Sequence, residues 1–315
     1  MKPSDKIYIA GHRGLVGSAI VRLLRARGFN YVITRLHSDL DLRDQSAVRS
    51  FFEREKPDIA VLAAGRVGGI KANNDAPVEF LIENVEIQNN VICAAYESSV
   101  RKLIFLGSSC IYPKLAAQPI PESALLTGAL EPTNEAYAVA KIAGIKLCQA
   151  FAQEYGANFV SVMPTNLYGP GDNFDLETSH VLAALLRKAH EAKINRDREL
   201  VVWGTGEPRR EFLHVNDLAS AILFLLENYD SPEIINVGCG EDISIRSLAE
   251  LISEIVGFEG ELTWDRSKPD GTPRKLLDVS KIGKLGWKAT IPLRDGIAQT
   301  YDWFVRHGAR QFTEA

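Results

Sequence analysis

A tyrosine and a lysine one helical turn apart, in Tyr137-Ala138-Val139-Ala140-Lys141, are residue types that can move a proton to or from a bound carbonyl. On a helix the i, i+4 spacing puts both side chains on one face. A phenol near its ordinary pKa of about 10 is a poor acid or base at neutral pH. An ammonium one turn away is expected to favour the phenolate and bring that pKa down. The pattern is common, so it carries weight only in company. Upstream, Gly107-Ser108-Ser109-Cys110 ends an apolar strand and offers hydroxyls to hold a substrate oxygen. Further upstream, Gly11-His12-Arg13-Gly14-Leu15-Val16-Gly17 lies between a strand and a helix. Its GxxGxxG spacing has one more residue between the first two glycines than GxGxxG. The physics is shared: without Cβ atoms, backbone N–H groups can approach a pyrophosphate at a helix N-terminus. A strand–turn–helix setting in the first βα unit is the context that motif requires, and a dinucleotide is expected there.

The second strand bears on which dinucleotide. An acidic residue about twenty positions on usually binds the ribose 2′-hydroxyl of NAD. Here the strand ends Thr34-Arg35-Leu36-His37, and Arg13 sits inside the glycine loop. Arginines so placed attract a 2′-phosphate and favour NADP(H). Arg35 and His37 could equally be solvated loop residues, and Asp39 and Asp41 are close enough to keep NAD open.

These groups need a scaffold. Lys6-Ile7-Tyr8-Ile9-Ala10 reads as a strand, 18–27 as a helix closed by Gly28, 31–34 and 58–64 as strands, 79–98 as a long helix and 102–106 as a strand. Unbroken apolar strands alternating with helices predict an α/β fold, a Rossmann-type doubly wound parallel sheet covered on both faces. After Gly169-Pro170-Gly171 the rhythm loosens into a helix near 180–192, a strand at 200–203 and a polar, Pro/Gly-broken stretch over 265–274. The expected division is a nucleotide-binding domain over 1–168, to which segments around 212–238 return. The remainder, 169–315, forms a smaller substrate-binding lobe. The turn at 228–233 is expected to affect surface shape only.

The chain has 315 residues, 46% hydrophobic and 24% charged, which is enough to bury a core without disulfides. Its 36 basic and 40 acidic residues leave a net charge of −4 with no polybasic block. Nucleic-acid and anionic-membrane partners are therefore not expected. No apolar run approaches a bilayer span, and no apolar signal core precedes the first strand. The four cysteines, Cys93, Cys110, Cys148 and Cys239, lack metal-ligand spacing, and no metal is expected. A reducing, cytoplasmic location fits this usage.

With the glycine loop, Ser108 and Tyr137-x-x-x-Lys141 in this chain order, the sequence resembles the extended short-chain dehydrogenase/reductase family of nucleotide-sugar enzymes over essentially its whole length. Longer words narrow the resemblance: Val67-Gly68-Gly69-Ile70, Leu106-Gly107-Ser108-Ser109-Cys110-Ile111-Tyr112-Pro113, Pro164-Thr165-Asn166-Leu167-Tyr168-Gly169-Pro170, Arg210-Glu211-Phe212-Leu213-His214-Val215 and Lys268-Pro269-Asp270-Gly271-Thr272-Pro273-Arg274-Lys275. They are similar to the branch that inverts C3 and C5 of GDP-4-keto-6-deoxy-D-mannose and then reduces C4 with NADPH, giving GDP-L-fucose. That resemblance implies that Tyr137 protonates the C4 oxygen, Lys141 tunes it and holds the nicotinamide ribose, and Ser108 hydrogen-bonds the same oxygen. Cys110 and His180 match the acid/base pair for the ring carbons.

The resemblance extends the cofactor site from 11–17 to Arg35, His37, Asp41, Leu42, Leu106, Gly107, Ser108, Lys141, Pro164, Thr165, Asn166, Leu167 and His180. It places Lys188, Trp203, Arg210, Asp270 and Lys275 on the GDP-sugar, whose diphosphate calls for cations. It also implies a homodimer packed through the helices at 79–98 and 137–155. Plainer readings exist for several residues. Cys110 could be a small buried residue, His180 a first-turn residue, Lys188 part of a solvated helix face and Trp203 core packing at a strand edge. Cys93, Cys148 and Cys239 read as structural. The rival functions are a UDP-sugar 4-epimerase that recycles NAD, and a non-catalytic NADP sensor; the intact Ser108, Tyr137 and Lys141 speak against the latter.

Overall fold

Largely apolar runs of two to six residues pair into one sheet buried on both sides. The computed structural model describes residues 1–268 and 270–308. Pro269 and the last part of the expected C-terminal lobe therefore lie outside the described residues. The first half contains β1 (Ile7–Ala10), α1 (Leu15–Ala26), β2 (Val32–Ile33), α2 (Gln45–Glu55), β3 (Ile59–Leu62), α3 (Ile70–Asp75), α4 (Pro77–Glu97), β4 (Lys102–Leu106), α5 (Glu135–Tyr155) and β5 (Phe159–Pro164). There follow β6 (Asn166–Tyr168), α6 (Val181–Asn195), β7 (Glu199–Trp203), β8 (Arg209–His214), α7 (Val215–Asn228), β9 (Ile235–Val237), β10 (Asp242–Ser244), α8 (Ile245–Val256), β11 (Glu261–Asp265), β12 (Arg274–Lys275), α9 (Ser280–Leu285) and α10 (Leu293–Trp303).

The main sheet runs β2-β1-β3-β4-β5-β9, all parallel, with Ile7 opposite Ile59 and Ala10 opposite Leu62. Strand order doubles back at β1, which leaves a crevice beyond the carboxyl ends of β1 and β3. Along β1 the two-residue period divides the core. Ile7 and Ile9 face α1 and α7, while Tyr8 and Ala10 face the layer of α2, α4 and α5. Chain order does not respect the sheet, because α7 packs on α1 and β9 re-enters beside β5 after the excursion through β6 to β8. The second layer is a four-stranded set built round β8, with β6, β10 and β12, beside the β7–β11 pair. A third core, from α6, α8 and α10, sits under it.

Local differences from the sequence reading have local causes. Expected over 31–34, β2 keeps only Val32 and Ile33, being an edge strand with one neighbour. Helix α1 starts at Leu15 rather than 18, since Gly14 takes the N-cap position. Helix α4 starts at Pro77 rather than 79, because proline is tolerated where no N–H is needed. The turn at 228–233 does more than shape the surface. The buried Lys102 ammonium donates to the carbonyls of Leu225, Leu226 and Tyr229 and pairs with Asp230 at 2.8 Å, so it satisfies the end of α7. Among the described residues no helix is long and apolar enough to cross a membrane.

Candidate active site

The glycine loop closes β1 onto α1. Gly11 has a φ of +82°, and a Cβ there would lie 2.7 Å from the Ala64 nitrogen. A Cβ on Gly17 would penetrate the carbonyl of Gly11, so Gly17 is the residue on which the loop folds back. At Gly14 the N-cap has no side-chain partner, and the first turn of α1 carries no acidic residue. The first amides of α1 therefore point outward with the positive end of the helix dipole, the donor set a pyrophosphate requires. They open on a cleft of about 990 Å³ between the two layers. Apart from Gly17, which lies beneath it, every site residue expected from the sequence lines this one cleft.

Beyond β2, charges are already paired. The Arg35 guanidinium bonds Glu55 at 2.6 Å and lies over the Phe51 ring, so it is not the free cation the sequence suggested. Asp41 pairs with Arg43 at 2.7 Å, which holds its carboxyl down at about 2, and it approaches His37 at 4.0 Å. Arg13 is exposed and joins no ion pair among the described residues. Asp41, one of the two acidic side chains that kept NAD open, is thus neutralised, while Arg13 stays available.

Helix α5 carries Tyr137 and Lys141 on one face, as their spacing predicts. The Lys141 Nζ is buried, donates to the Leu106 carbonyl at 3.1 Å, and lies 5.0 Å and 5.7 Å from the centroids of Phe105 and Tyr137. Burial brings its pKa from 10.5 down to about 8. The expected lowering of the tyrosine is not what the structure shows. Tyr137 is pushed up, first by burial and then by charge on Cys110, with a hydrogen bond from Ser108 opposing. In this cleft desolvation outweighs the nearby lysine. Ser108 stands at the end of β4, where its hydroxyl also accepts the Cys110 backbone N–H at 3.2 Å.

Cys110 and His180 arrive from separate elements. The Cys110 sulfur accepts from Asn134 Nδ2 at 3.2 Å and Lys275 Nζ at 3.6 Å. His180 is the N-cap residue of α6, but its side chain makes no cap, so the ring is left to the cleft. Surrounding protein and the Lys275 charge hold its imidazole below the usual range. The Val67-Gly68-Gly69-Ile70 word places it. Gly69 N–H donates to the Thr178 carbonyl at 3.0 Å, and a Cβ on Gly69 would lie 2.6 Å from the Ser179 oxygen.

Opposite, Lys188 and Lys268 lie 5.0 Å and 5.3 Å from the half-exposed Trp203 ring, so this tryptophan is not core packing. Arg210 donates to the Asp270 carbonyl at 3.3 Å, and burial lowers its pKa against the charges of Cys110, Asp270 and Glu131. The Asp270 carboxylate is turned away onto Thr205, accepting from its N–H and its hydroxyl at 2.8 Å each. It fastens the segment at Asp270 to the β7–β8 turn at the cleft wall.

A sequence profile of the NAD dependent epimerase/dehydratase family matches residues 7–238. The chain belongs to this family. GDP-L-fucose synthase 1 of Arabidopsis thaliana is 61% identical over 304 residues, which span 96% of this chain and 94% of its own. The solved GDP-6-OMe-4-keto-L-xylo-heptose reductase from C. jejuni is 39% identical with a TM-score of 0.93, covering 97% of this chain and 99% of that one. A GDP-L-fucose synthetase from Naegleria fowleri, solved bound to NADP, is 32% identical with a TM-score of 0.89, over 97% and 95% of the two chains.

This family is nicotinamide-dependent. Reading the sequence missed Asn134 and Glu131. Asn134 lies three residues before Tyr137, a spacing that gave the only available signal. Glu131 is bound by Lys114 at 3.0 Å and bears on Arg210. The Gly69 contact had no local signal. Among the described residues no cluster of three His, Cys, Asp or Glu side chains could hold a metal.

Proposed function

We propose that this chain is an NADPH-dependent 3,5-epimerase/4-reductase that converts GDP-4-keto-6-deoxy-D-mannose to GDP-L-fucose. The observation that carries the reading is that two proton-handling sets face one cleft: Ser108 with Tyr137, and Cys110 with His180. Ser108 and Tyr137 hold the C4 oxygen. A ring proton next to that ketone becomes removable because the pair of electrons it leaves is held as an enolate on the same oxygen. Cys110 and His180 take and return the protons at C3 and C5. Bound NADPH supplies the hydride for C4. Tyr137 then gives its proton to the oxygen, and Lys141 orients the cofactor ribose beside it.

The uncapped amides of α1 fit the pyrophosphate, and Arg13, with Asp41 neutralised by Arg43, favours the 2′-phosphate of NADP(H). Lys188, Arg210 and Lys275 bring cations to the GDP diphosphate, with Trp203 beside the base. Outward apolar residues on the paired helices, Val78, Ile82 and Tyr96 on α4 and Val139 and Tyr155 on α5, support a homodimer through this face. Cytoplasmic location follows from the substrate and the free thiols.

The test is NADPH oxidation with GDP-4-keto-6-deoxy-D-mannose, with the product identified by NMR. GDP-L-fucose is the expected product. A 4-reduced sugar without inversion leaves a 4-ketoreductase, as in the heptose relative, and removes the epimerase role of Cys110 and His180. No oxidation overturns the substrate assignment.

A further inference from the structure

We propose that Asn134 and Lys275 are positioning residues for Cys110, aiming its sulfur and holding the negative charge that it carries at one end of proton transfer. The inference rests on the epimerase reading of Cys110. Whichever way the proton passes, sulfur is a thiolate before it takes the proton or after it gives it up, and the electron pair at carbon moves to or from the C4 oxygen. A neutral thiol is a weak acceptor. Two N–H donors, at 3.2 Å and 3.6 Å, suit a charged sulfur.

Both donors give up an ordinary partner. Asn134 is the N-cap residue of α5, where asparagine normally caps the first amides, yet its side chain makes no cap. Its Nδ2 goes to sulfur, and its Oδ1 is buried without a hydrogen bond. On β12, Lys275 sits in register beside Arg210 on β8, placing two cations together. Among the described residues Lys275 pairs with no carboxylate. The ionisable groups that interact with the sulfur are Tyr137 on α5, Arg210 on β8 and Lys275 on β12, with Glu131 and Asp270 acting on Arg210 and Lys275 also acting on His180 before α6. A negative charge forming on the sulfur during proton transfer is therefore met by neighbouring cations. The same Lys275 charge disfavours charge on His180.

Iodoacetamide labelling of Cys110 in the sugar-free enzyme, quantified by peptide mass spectrometry at fixed pH, reads charge on the sulfur directly, because the thiolate is the nucleophile. The other thiols compete little: burial pushes Cys148 up to about 12 and Cys239 to about 11, and raises Cys93. Lys275→Met should slow labelling roughly tenfold, the scale of one charge-assisted hydrogen bond, and Asn134→Ala severalfold. Lys275→Arg should restore it, with NADPH affinity unchanged in all three variants. Solvent-deuterium entry into the sugar should fall in parallel. Wild-type labelling rates in both Lys275→Met and Asn134→Ala would overturn the proposal, and would leave Lys275 as a substrate contact alone. If the wild type exchanges no deuterium while labelling still slows in the variants, the epimerase reading fails and the sulfur cradle stands.

Discussion

Replacing Lys141 by methionine should remove activity yet stabilise the protein at neutral pH. Lys141 is 4% exposed, and burial brings its pKa from 10.5 to about 8. At about 1.4 kcal/mol per pH unit, keeping that proton in the folded state below pH 8 costs about 3 kcal/mol. Between pH 8 and 10.5 the unfolded chain binds more protons than the folded one, so wild-type stability contributed by this group rises with pH through that window. Methionine carries no such cost at any pH. It does leave the Leu106 carbonyl without its 3.1 Å donor, a loss of about 1–3 kcal/mol. At pH 7 the variant should therefore be up to about 2 kcal/mol more stable, and above pH 10.5 less stable than wild type by about 1–3 kcal/mol. Urea unfolding of both proteins without cofactor, from pH 7 to 10.5, measures the difference, in which groups common to both cancel. A stability difference that does not change with pH would refute the reasoning, since it would mean that Lys141 pays nothing for its charge.

Tyr137→Phe should lower turnover by about 10²–10⁴-fold through loss of the proton donor, with NADPH affinity by fluorescence titration unchanged; full turnover would remove Tyr137 from the chemistry. Gly17→Ala forces a Cβ into the Gly11 carbonyl, so NADPH binding should weaken more than tenfold, read by the same titration. Gly69→Ala pushes on the Ser179 carbonyl and so on His180. It should slow solvent-deuterium entry into the sugar ring while leaving NADPH affinity intact, a split seen by comparing NMR exchange with the titration.

Local spacing by itself determined a good deal. Apolar runs of the length of β1, β3 and β4, alternating with helices, admit few arrangements other than a covered parallel sheet, and the glycine loop and Tyr137-Lys141 are complete within seven and five residues. Such features are legible because backbone geometry repeats on that scale. The re-entry of β9 beside β5 and the clamp of α7 by Lys102 and Asp230 depend on distant partners, 73 and 128 positions apart. So does the sulfur cradle, where Asn134 and Lys275 reach Cys110 across 24 and 165 positions. The upward shift of Tyr137 reversed what residue types alone suggested, and the pairing of Arg35 with Glu55 and the turning of Asp270 onto Thr205 were not visible in them. Charge and pKa depend on burial and on which opposite group arrives, and both are set when distant segments pack together, not by the order of residues along the chain.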